Sequence, residues 1–295
     1  MNLKYMIPSL VLMSACGSSE SLLDGGQANA SLNLKLNTAS STALGFAAET
    51  FSAGTSVNIT SARINVDEIK LKAPEGISCA EMSFVDQTGV SCETESSDSL
   101  ASTNESSSDD SNSHESESEI KIKGPFVFDL ITGESTPSLS EFKIPSGMFK
   151  EIQIKLKKAQ VSDGILAVDD ELIDNTLVAA GTFTDLSSVS HSFSLKLSFS
   201  EELKIEQTAG ISVKEGLLNA ITINMNVTNW FSGLDLQQCI ADNDYSLDGD
   251  SFVIDEHHSG SGRCSDIENT VKENIKDAFE FENEEHEDSS ETEKD

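Results

Sequence analysis

Apolar and polar residues alternate along most of this chain with a period of two, the spacing expected of a half-buried β-strand. Leu32, Leu34 and Leu36 begin the pattern, and their neighbours are polar. The alternation returns in six further segments, at 57–71, 119–130, 149–157, 176–183, 190–200 and 220–228. Because successive strand residues point to opposite faces, each segment has one apolar face to bury. We therefore predict an all-β fold, an antiparallel β-sandwich.

The alternation in 57–71 changes phase, which predicts a bulge or bend within that strand. Five of the segments also place a lysine between two apolar residues, at Lys35, Lys70, Lys121, Lys155 and Lys196. These lysines are expected on the solvent face of the strands, where they would oppose edge-to-edge pairing.

A corner between two predicted strands carries the most distinctive motif. It reads Phe128-Asp129-Leu130-Ile131-x-Gly133, then Ile144-Pro145-Ser146-Gly147-Met148-Phe149, then Ile152-x-Ile154-x-Leu156. Pro145 presets a turn, Gly147 relaxes its backbone, and Phe149 can re-enter the core as the next strand begins.

This corner resembles domain-of-unknown-function family 4382, which occurs in exported bacterial lipoproteins. The family pattern is D-L-L-x-L-x-x-G, then L-P-x-G-x-Y, then an I-R-L-like strand. Here Ile144 replaces Leu, Phe149 replaces Tyr, and Lys155 stands near the Arg. The resemblance covers 31–231 and implies a transthyretin-like or immunoglobulin-like β-sandwich on the cell envelope. It implies no catalytic residues.

Beyond Trp230-Phe231 the pattern changes to short elements and one helix. Asp248-Gly249 predicts a tight hairpin turn between short strands. Ser265 and Glu268 match a capping box that opens a helix. Apolar residues then repeat at helical spacing along one face, at Ile267, Val271, Ile275 and Ala278-Phe279. We expect 232–283 to form a hairpin and a C-terminal helix that packs on the sandwich domain at 31–231.

Two strongly acidic segments accompany these elements. Nine acidic residues lie in 93–119 and ten in 277–295, out of 51 in the chain. The first segment lacks aromatic and β-branched aliphatic residues, so we predict a disordered insert at 93–119, and likewise a disordered acidic tail at 284–295. The formal net charge of −32 repels nucleic acid and anionic lipid and favours cations and basic partners.

The first sixteen residues have the layout of an export leader. Lys4 provides a positive start, residues 5–13 an apolar run too short to cross a bilayer, and Ser14-Ala15 the small residues before a cleavage site. Cys16 follows directly, an arrangement that resembles the lipobox of bacterial lipoproteins, with Met13 in place of the usual Leu. The resemblance implies that Cys16 is acylated, with palmitate as one acyl chain. An ordinary secretory signal is the alternative.

The lipobox resemblance also implies a signal peptide at 1–15 and a tether at 16–30, which is small, polar and glycine-bearing. Gly17 is informative by analogy with enteric bacteria, where Asp after the acylated cysteine retains lipoproteins in the inner membrane and Gly does not. We expect a chain held to the membrane by its lipid, at the outer membrane or the cell surface.

The other four cysteines fall into two local pairs, Cys79 with Cys92 and Cys239 with Cys264. Export to an oxidising compartment would join them as disulfides. Four cysteines allow three connectivities, and we favour the local one because each pair flanks its own loop. A metal site is the alternative, but the chain lacks the C-x-x-C spacing and nearby histidine pair typical of such sites.

One acidic stretch partly follows the calcium loop of an EF-hand. Its oxygen-bearing residues alternate around a turn glycine, at Asp244, Ser246, Asp248, Asp250 and, in the twelfth place, Asp255. Asp replaces the usual Glu at that twelfth place, and Phe252 stands where a ligand is usual. Calcium binding is one hypothesis for this stretch, and an acidic hairpin turn is the other.

The common signatures of catalysis are missing from the sequence. It contains no nucleophile elbow, phosphate-binding loop, dinucleotide fingerprint or H-E-x-x-H motif. We therefore expect a non-enzymatic envelope module that binds an unidentified protein or envelope partner, or has a structural role. A calcium-dependent adhesion module is the second hypothesis, and a hydrolase with an unrecognised site is the third.

Proteases should cleave first within 93–119, because a disordered segment offers its backbone to the protease. Deleting 96–117 should barely change the free energy of unfolding, since each doubling of loop length costs only about 0.6 kcal/mol. Limited proteolysis with mass spectrometry, and urea unfolding of the deletion variant, measure the two effects. Slow hydrogen exchange within this segment, or loss of the fold on deletion, would contradict the prediction.

Overall fold

The computed structural model describes residues 26–37, 51–53, 56–82, 89–95 and 117–281. The predicted signal peptide, Cys16, residues 17–25 of the predicted tether, the interior of the predicted insert and the predicted tail lie outside the described residues. Residues 27–30, predicted as the end of the tether, belong to the first strand, so that boundary was wrong.

Within the described ranges the chain forms fourteen strands and two α-helices. The strands are β1 (Gln27–Asn37), β2 (Phe51–Ala53), β3 (Val57–Lys72), β4 (Val90–Glu95), β5 (Glu117–Asp129), β6 (Ser135–Thr136), β7 (Phe142–Pro145), β8 (Gly147–Leu156), β9 (Leu177–Thr184), β10 (Ser190–Leu197), β11 (Glu201–Val213), β12 (Leu218–Asn226), β13 (Ser251–Ile254) and β14 (Phe279–Phe281). The helices are α1 (Leu236–Ala241) and α2 (Ile267–Lys276).

These strands form two sheets that share one hydrophobic core. The smaller sheet has the order β14-β12-β1-β7. The larger sheet runs β11-β8-β3-β9-β10-β13, and β5 pairs with the opposite edge of β3. Apolar residues of both sheets belong to the same buried cluster. The predicted all-β, sandwich-like fold class is confirmed.

The predicted antiparallel arrangement fails for two strand pairs. β1 and β12 are parallel, with Asn29 opposite Leu218. β10 and β13 are also parallel, with Ser192 opposite Ser251. The partners in each pair are far apart in sequence, so no short hairpin forces them to run in opposite directions. Both sheets are therefore mixed.

The corner motif contains a turn at 129–133, and at 145–147, where a turn was predicted, a bend at Ser146 separates β7 from β8. The Asp129 carboxylate accepts hydrogen bonds from the backbone N–H groups of Ile131, at 2.9 Å, and Thr132, at 3.1 Å. Gly133 follows in the left-handed region, at a φ of 80°. Phe149 re-enters the core and is fully buried. This corner leads the chain from the larger sheet into the smaller one and back again.

The central strand of the larger sheet is β3, which pairs with four other strands. Its first half pairs with β2 and β9, and its second half with β5 and β8. The register shifts between Ile59 and Ser61 against β9, and between Val66 and Glu68 against β5 and β8. The bulge predicted from the phase change in 57–71 is thus confirmed, and there are two of them.

A glycine faces each bulge of β3. A Cβ added to Gly181 would lie against the backbone carbonyl of Asn58, beside the first bulge. A Cβ added to Gly124 would lie 2.6 Å from the Val66 carbonyl oxygen, beside the second. The extra residue of a bulge brings the backbones together, so only a residue without a side chain fits opposite it.

The outer residues of the predicted insert 93–119 are strand residues. β4 and β5 pair from Val90 opposite Ile122 to Glu95 opposite Glu117, so the boundaries of that prediction were wrong. Glu93 lies directly opposite Glu119, and Lys121 bonds both, at 2.6 and 3.4 Å. The hydrogen bond with Lys121 lowers the pKa of Glu93 and raises that of the lysine. Lys121 thus offsets the negative charge of Glu93 and Glu119, the two ends of the segment that its acidic composition predicted to be disordered.

The strand lysines form cross-strand ion pairs, and most of them do not lie on edge strands. Lys70, in the centre of the larger sheet, lies 2.6 Å from Glu202 of β11. Lys155 of β8 lies 3.5 Å from the carboxylate of Asp67, the bulged residue of β3. They stand on the solvent face, as predicted, but Lys155 joins neighbouring strands and Lys70 reaches across β8 to β11, where we expected these lysines to protect edges.

The C-terminal segment differs from its prediction in three respects. Helix α1 was not predicted. Asp248-Gly249 does form a tight turn, with Asp248 bridging Ser251, but only β13 follows it, and β13 pairs with β10 and not with a hairpin partner. Helix α2 begins after Asp266 without a side-chain capping bond, so the predicted capping box is absent.

The apolar stripe of α2 is confirmed. Ile267, Val271 and Ile275 are buried in the core that the two sheets share. Phe279 continues into β14, which adds a strand to the smaller sheet, while β13 extends the larger one. The segment after Trp230 is therefore a part of the sandwich and not an appendage to it.

Gly181→Ala should lower the free energy of unfolding by about 3 kcal/mol, which is the upper end of the range for overpacking. The added methyl would meet the backbone carbonyl of Asn58, which cannot rotate away as a side chain could. The control is Gly216→Ala, which has a φ of 72° and no heavy atom within 4 Å of the added Cβ. That variant should lose only about 1 kcal/mol from its left-handed backbone. Urea unfolding measures both, and equal losses would show that the close approach to Asn58 is unimportant.

Candidate functional site

The C-terminal segment 235–264 contains the residues of the calcium hypothesis, two histidines, one arginine and a disulfide. An aromatic cluster packs this segment against the larger sheet. Phe252 of β13 is fully buried and stacks on Phe183 of β9, with ring centroids 4.5 Å apart. Tyr245 lies 5.3 Å from Phe252 on another side. The Tyr245 hydroxyl donates to the Val253 carbonyl oxygen, and burial raises the pKa of this tyrosine. The aromatic cluster thus packs the segment against the larger sheet.

A disulfide closes the segment. Cys239 of α1 is bonded to Cys264, two residues before the N-cap of α2, with a Cα–Cα distance of 6.1 Å, and both are fully buried. The second disulfide joins Cys79 to Cys92 of β4, with a Cα–Cα distance of 5.5 Å. Both predicted pairs are confirmed, and every cysteine among the described residues is in a disulfide.

The residues of the calcium hypothesis point in different directions. One Asp244 oxygen accepts a hydrogen bond from the backbone N–H of Arg263, at 3.1 Å. One Asp255 oxygen accepts three, from the N–H groups of His257 and His258 and from the His258 ring, at 2.7 to 2.9 Å. The three remaining members are exposed: Ser246, Asp248 and Asp250.

The alternation of oxygens in this stretch therefore does not assemble a ligand shell. Within the described ranges, no three His, Cys, Asp or Glu side chains converge where a metal ion could bind. The acidic turn, which was the other hypothesis, describes what these residues do. Asp244 and Asp255 each bind the backbone of a later loop, as turn-forming carboxylates commonly do.

The imidazole ring of His258 lies between two carboxylates. Its Nδ1 lies 2.7 Å from Asp255, and its Nε2 lies 3.9 Å from the Asp248 carboxylate. Burial raises the pKa of Asp255, but the hydrogen bonds from His258 and from the two backbone N–H groups outweigh it, and the pKa is lowered overall. A histidine held between two carboxylates ties the Asp248 turn to the following loop.

Both arginines of the chain pair with carboxylates of loop residues, but with different geometry. Arg263 lies 3.3 Å from Asp242 and approaches Asp244. Arg63 of β3 makes a two-pronged ion pair with Asp170, at 2.8 and 2.9 Å, which lowers the pKa of the aspartate. The Asp170 pair holds the loop between β8 and β9 over a small second core that includes Leu172.

Sequence reasoning missed the roles of the arginines, although a signal was present. Arginine occurs only twice in the chain, at Arg63 and Arg263, among 19 basic residues. The planar guanidinium can bind a carboxylate with two parallel hydrogen bonds, and a lysine cannot. An arginine in a lysine-rich chain therefore indicates a position where such a two-pronged ion pair is needed. The carboxylate partners could not be identified in this way, because acidic residues are too numerous.

Neither α-helix in the described part of the chain is long and apolar enough to cross a membrane; α2, the longer one, has ten residues. Comparisons of the chain with protein-family models, with curated proteins and with solved structures found no match. The resemblance to family 4382 stays a prediction from its motifs.

Asp255→Asn should destabilise the protein at pH 5 and have a smaller effect at pH 3. The folded-state pKa of Asp255 is lowered from its ordinary 3.8, so its charge stabilises the fold above that value and the contribution is lost as the pH falls through the folded pKa. Urea unfolding at both pH values measures the difference.

The matched control is Asp250→Asn, an exposed aspartate in the same segment. Its effect should be small and equal at both pH values. A loss at Asp255→Asn that stays constant between pH 5 and pH 3 would mean that the carboxylate charge is irrelevant to the Asp255–His258 contact.

Proposed function

We propose that this chain is a bacterial envelope lipoprotein, anchored through an acylated Cys16, whose folded domain is a non-enzymatic binding or structural module. The observation that carries the proposal is the distribution of the five cysteines. Four lie in two disulfides within the folded domain. The fifth is Cys16, which directly follows an export leader.

The disulfides support the export half of the proposal. Disulfides persist in oxidising compartments such as the periplasm and the cell surface, and are rare in the cytosol. Both of these close short loops, with sequence separations of 13 and 25. A cysteine left without a partner in an exported chain needs another role, and acylation after a lipobox-like leader supplies one.

The charged side chains of the folded domain support a non-enzymatic role. Asp244, Asp255 and Asp170 each hold a loop through hydrogen bonds to a backbone N–H or an arginine. Each of these carboxylates already has a structural partner within the fold. This is why a calcium-dependent module and a hydrolase are the weaker alternatives. The acidic surface, at a net charge of −32, favours a neutral or basic partner over nucleic acid.

Placement at the outer membrane or the cell surface rests on Gly17 and on the lipobox resemblance. The motif resemblance to family 4382, a family of exported lipoproteins, agrees with this placement. The partner of the module is an envelope component or another protein.

Cys16→Ser should abolish acylation and release the protein from the membrane fraction, because the thiol that carries the lipid is gone. Expression in a bacterial host with an alkyne palmitate analogue, followed by intact-mass measurement of the mature chain, tests this directly. The control is the double variant Cys79→Ser/Cys92→Ser, which removes two cysteines of the folded domain and should still be labelled. A mature wild-type chain with a free thiol at Cys16 and no lipid would overturn the proposal.

A further inference from the structure

Two strand turns leave large apolar side chains exposed. In the turn between β11 and β12, Leu217 is 57% exposed and Leu218 is 64% exposed. In the turn between β9 and β10, Leu186 is 57% exposed and Val189 is 50% exposed. No residue in the described part of the chain covers either pair. The two pairs lie at different ends of the larger sheet.

The two turns lie at opposite ends of the larger sheet. β3 begins at Val57, opposite Phe183, three residues before Leu186. Past the end of β3, Pro74 contacts Gly147, and Gly147 pairs with Val213, four residues before Leu217. Sixteen strand residues separate these ends, a length on the order of 50 Å at the usual rise per residue.

The chain enters the fold at the Leu217 end. Asn29 of β1 pairs with Leu218, and the Asn219 side chain donates to the Asn29 carbonyl oxygen at 3.1 Å. A Cβ added to Gly26 would touch the Glu215 carboxylate. The first described residue of the chain therefore lies beside the exposed leucines.

The tether is too short to bring the other end to a membrane. Nine residues, 17–25, separate Cys16 from Gly26. Ten peptide steps span at most about 35 Å when fully extended, and about 17 Å on average for a flexible chain. Both lengths are below the length of β3, so an acyl chain on Cys16 holds the Leu217 end towards the bilayer.

We propose that the exposed leucines Leu217 and Leu218 form a surface that contacts the membrane to which the chain is anchored. This inference rests on the acylation proposed above. Leucine side chains in the interfacial region leave water and are stabilised there. The surface adds a second attachment to the bilayer beside the acyl anchor.

The charges beside this surface fit a zwitterionic bilayer. Lys150 and Glu75 form an ion pair at 3.1 Å, and Lys214 and Glu215 are adjacent in the exposed turn. Acidic and basic groups balance here, in a chain whose overall net charge is −32. A neutral headgroup layer would therefore meet little repulsion at this end, whereas an anionic layer would be repelled by the protein as a whole.

The test uses the acylated full-length chain in phosphatidylcholine vesicles, with and without bromine in the acyl chains. Leu217→Trp places an indole in the proposed surface, and Leu186→Trp, at an equally exposed leucine, is the matched control. The native Trp230 is fully buried and provides a constant background. Brominated lipid should remove most of the added emission in Leu217→Trp and none in Leu186→Trp.

The outcomes separate this inference from the one on which it depends. Flotation of the protein with the vesicles and a lipid mass on Cys16 support the anchor. Flotation without quenching of Leu217→Trp, or with equal quenching of Leu186→Trp, overturns the membrane-contact surface and leaves the anchor intact. A protein that carries no lipid and does not float overturns both.

Discussion

The pairing of β3 on both of its edges is the constraint on which the rest of the structure depends. One strand serves four neighbours because residues 57–64 pair with β9 and residues 66–71 with β8 along one edge, while β2 and β5 pair along the other. The bulges bring its backbone close to Gly124 and Gly181, which have no side chain to obstruct the approach. Arg63, between the bulges, holds the loop that covers the outer face through its ion pair with Asp170.

Acidic residues stabilise this fold through specific ion pairs and hydrogen bonds. On the strands, Lys121 of β5 lies between Glu93 and Glu119, and Lys70 of β3 reaches across β8 to Glu202 of β11. In the loops, carboxylates bind backbone N–H groups or one of the two arginines. The residual negative charge keeps the surface unfavourable for nucleic acid and anionic lipid, which restricts the partners that the domain can have.

The two ends of the sandwich differ in construction. At one end the aromatic cluster around Phe252 and the Cys239–Cys264 disulfide hold a compact segment of short elements. At the other end the chain enters the fold beside the exposed Leu217. With an acyl anchor on Cys16, the second end would face the membrane and the first would face away from it. The proposed partner would then meet the β9–β10 turn and its surroundings first.

The sequence by itself determined the features that depend on neighbouring residues: the strands from their period of two, the buried face of α2 from its helical spacing, the bulging of 57–71, and two disulfides that close short loops. The tertiary structure alone decided which strands pair and in which direction, as for the parallel β1 and β12. It also decided which of many carboxylates Arg63 and Arg263 bind, and that Asp244 and Asp255 accept hydrogen bonds from loop backbone. Period and spacing are local properties, whereas strand partners and charge partners are chosen among residues far apart in the chain, where many candidates satisfy the same local pattern.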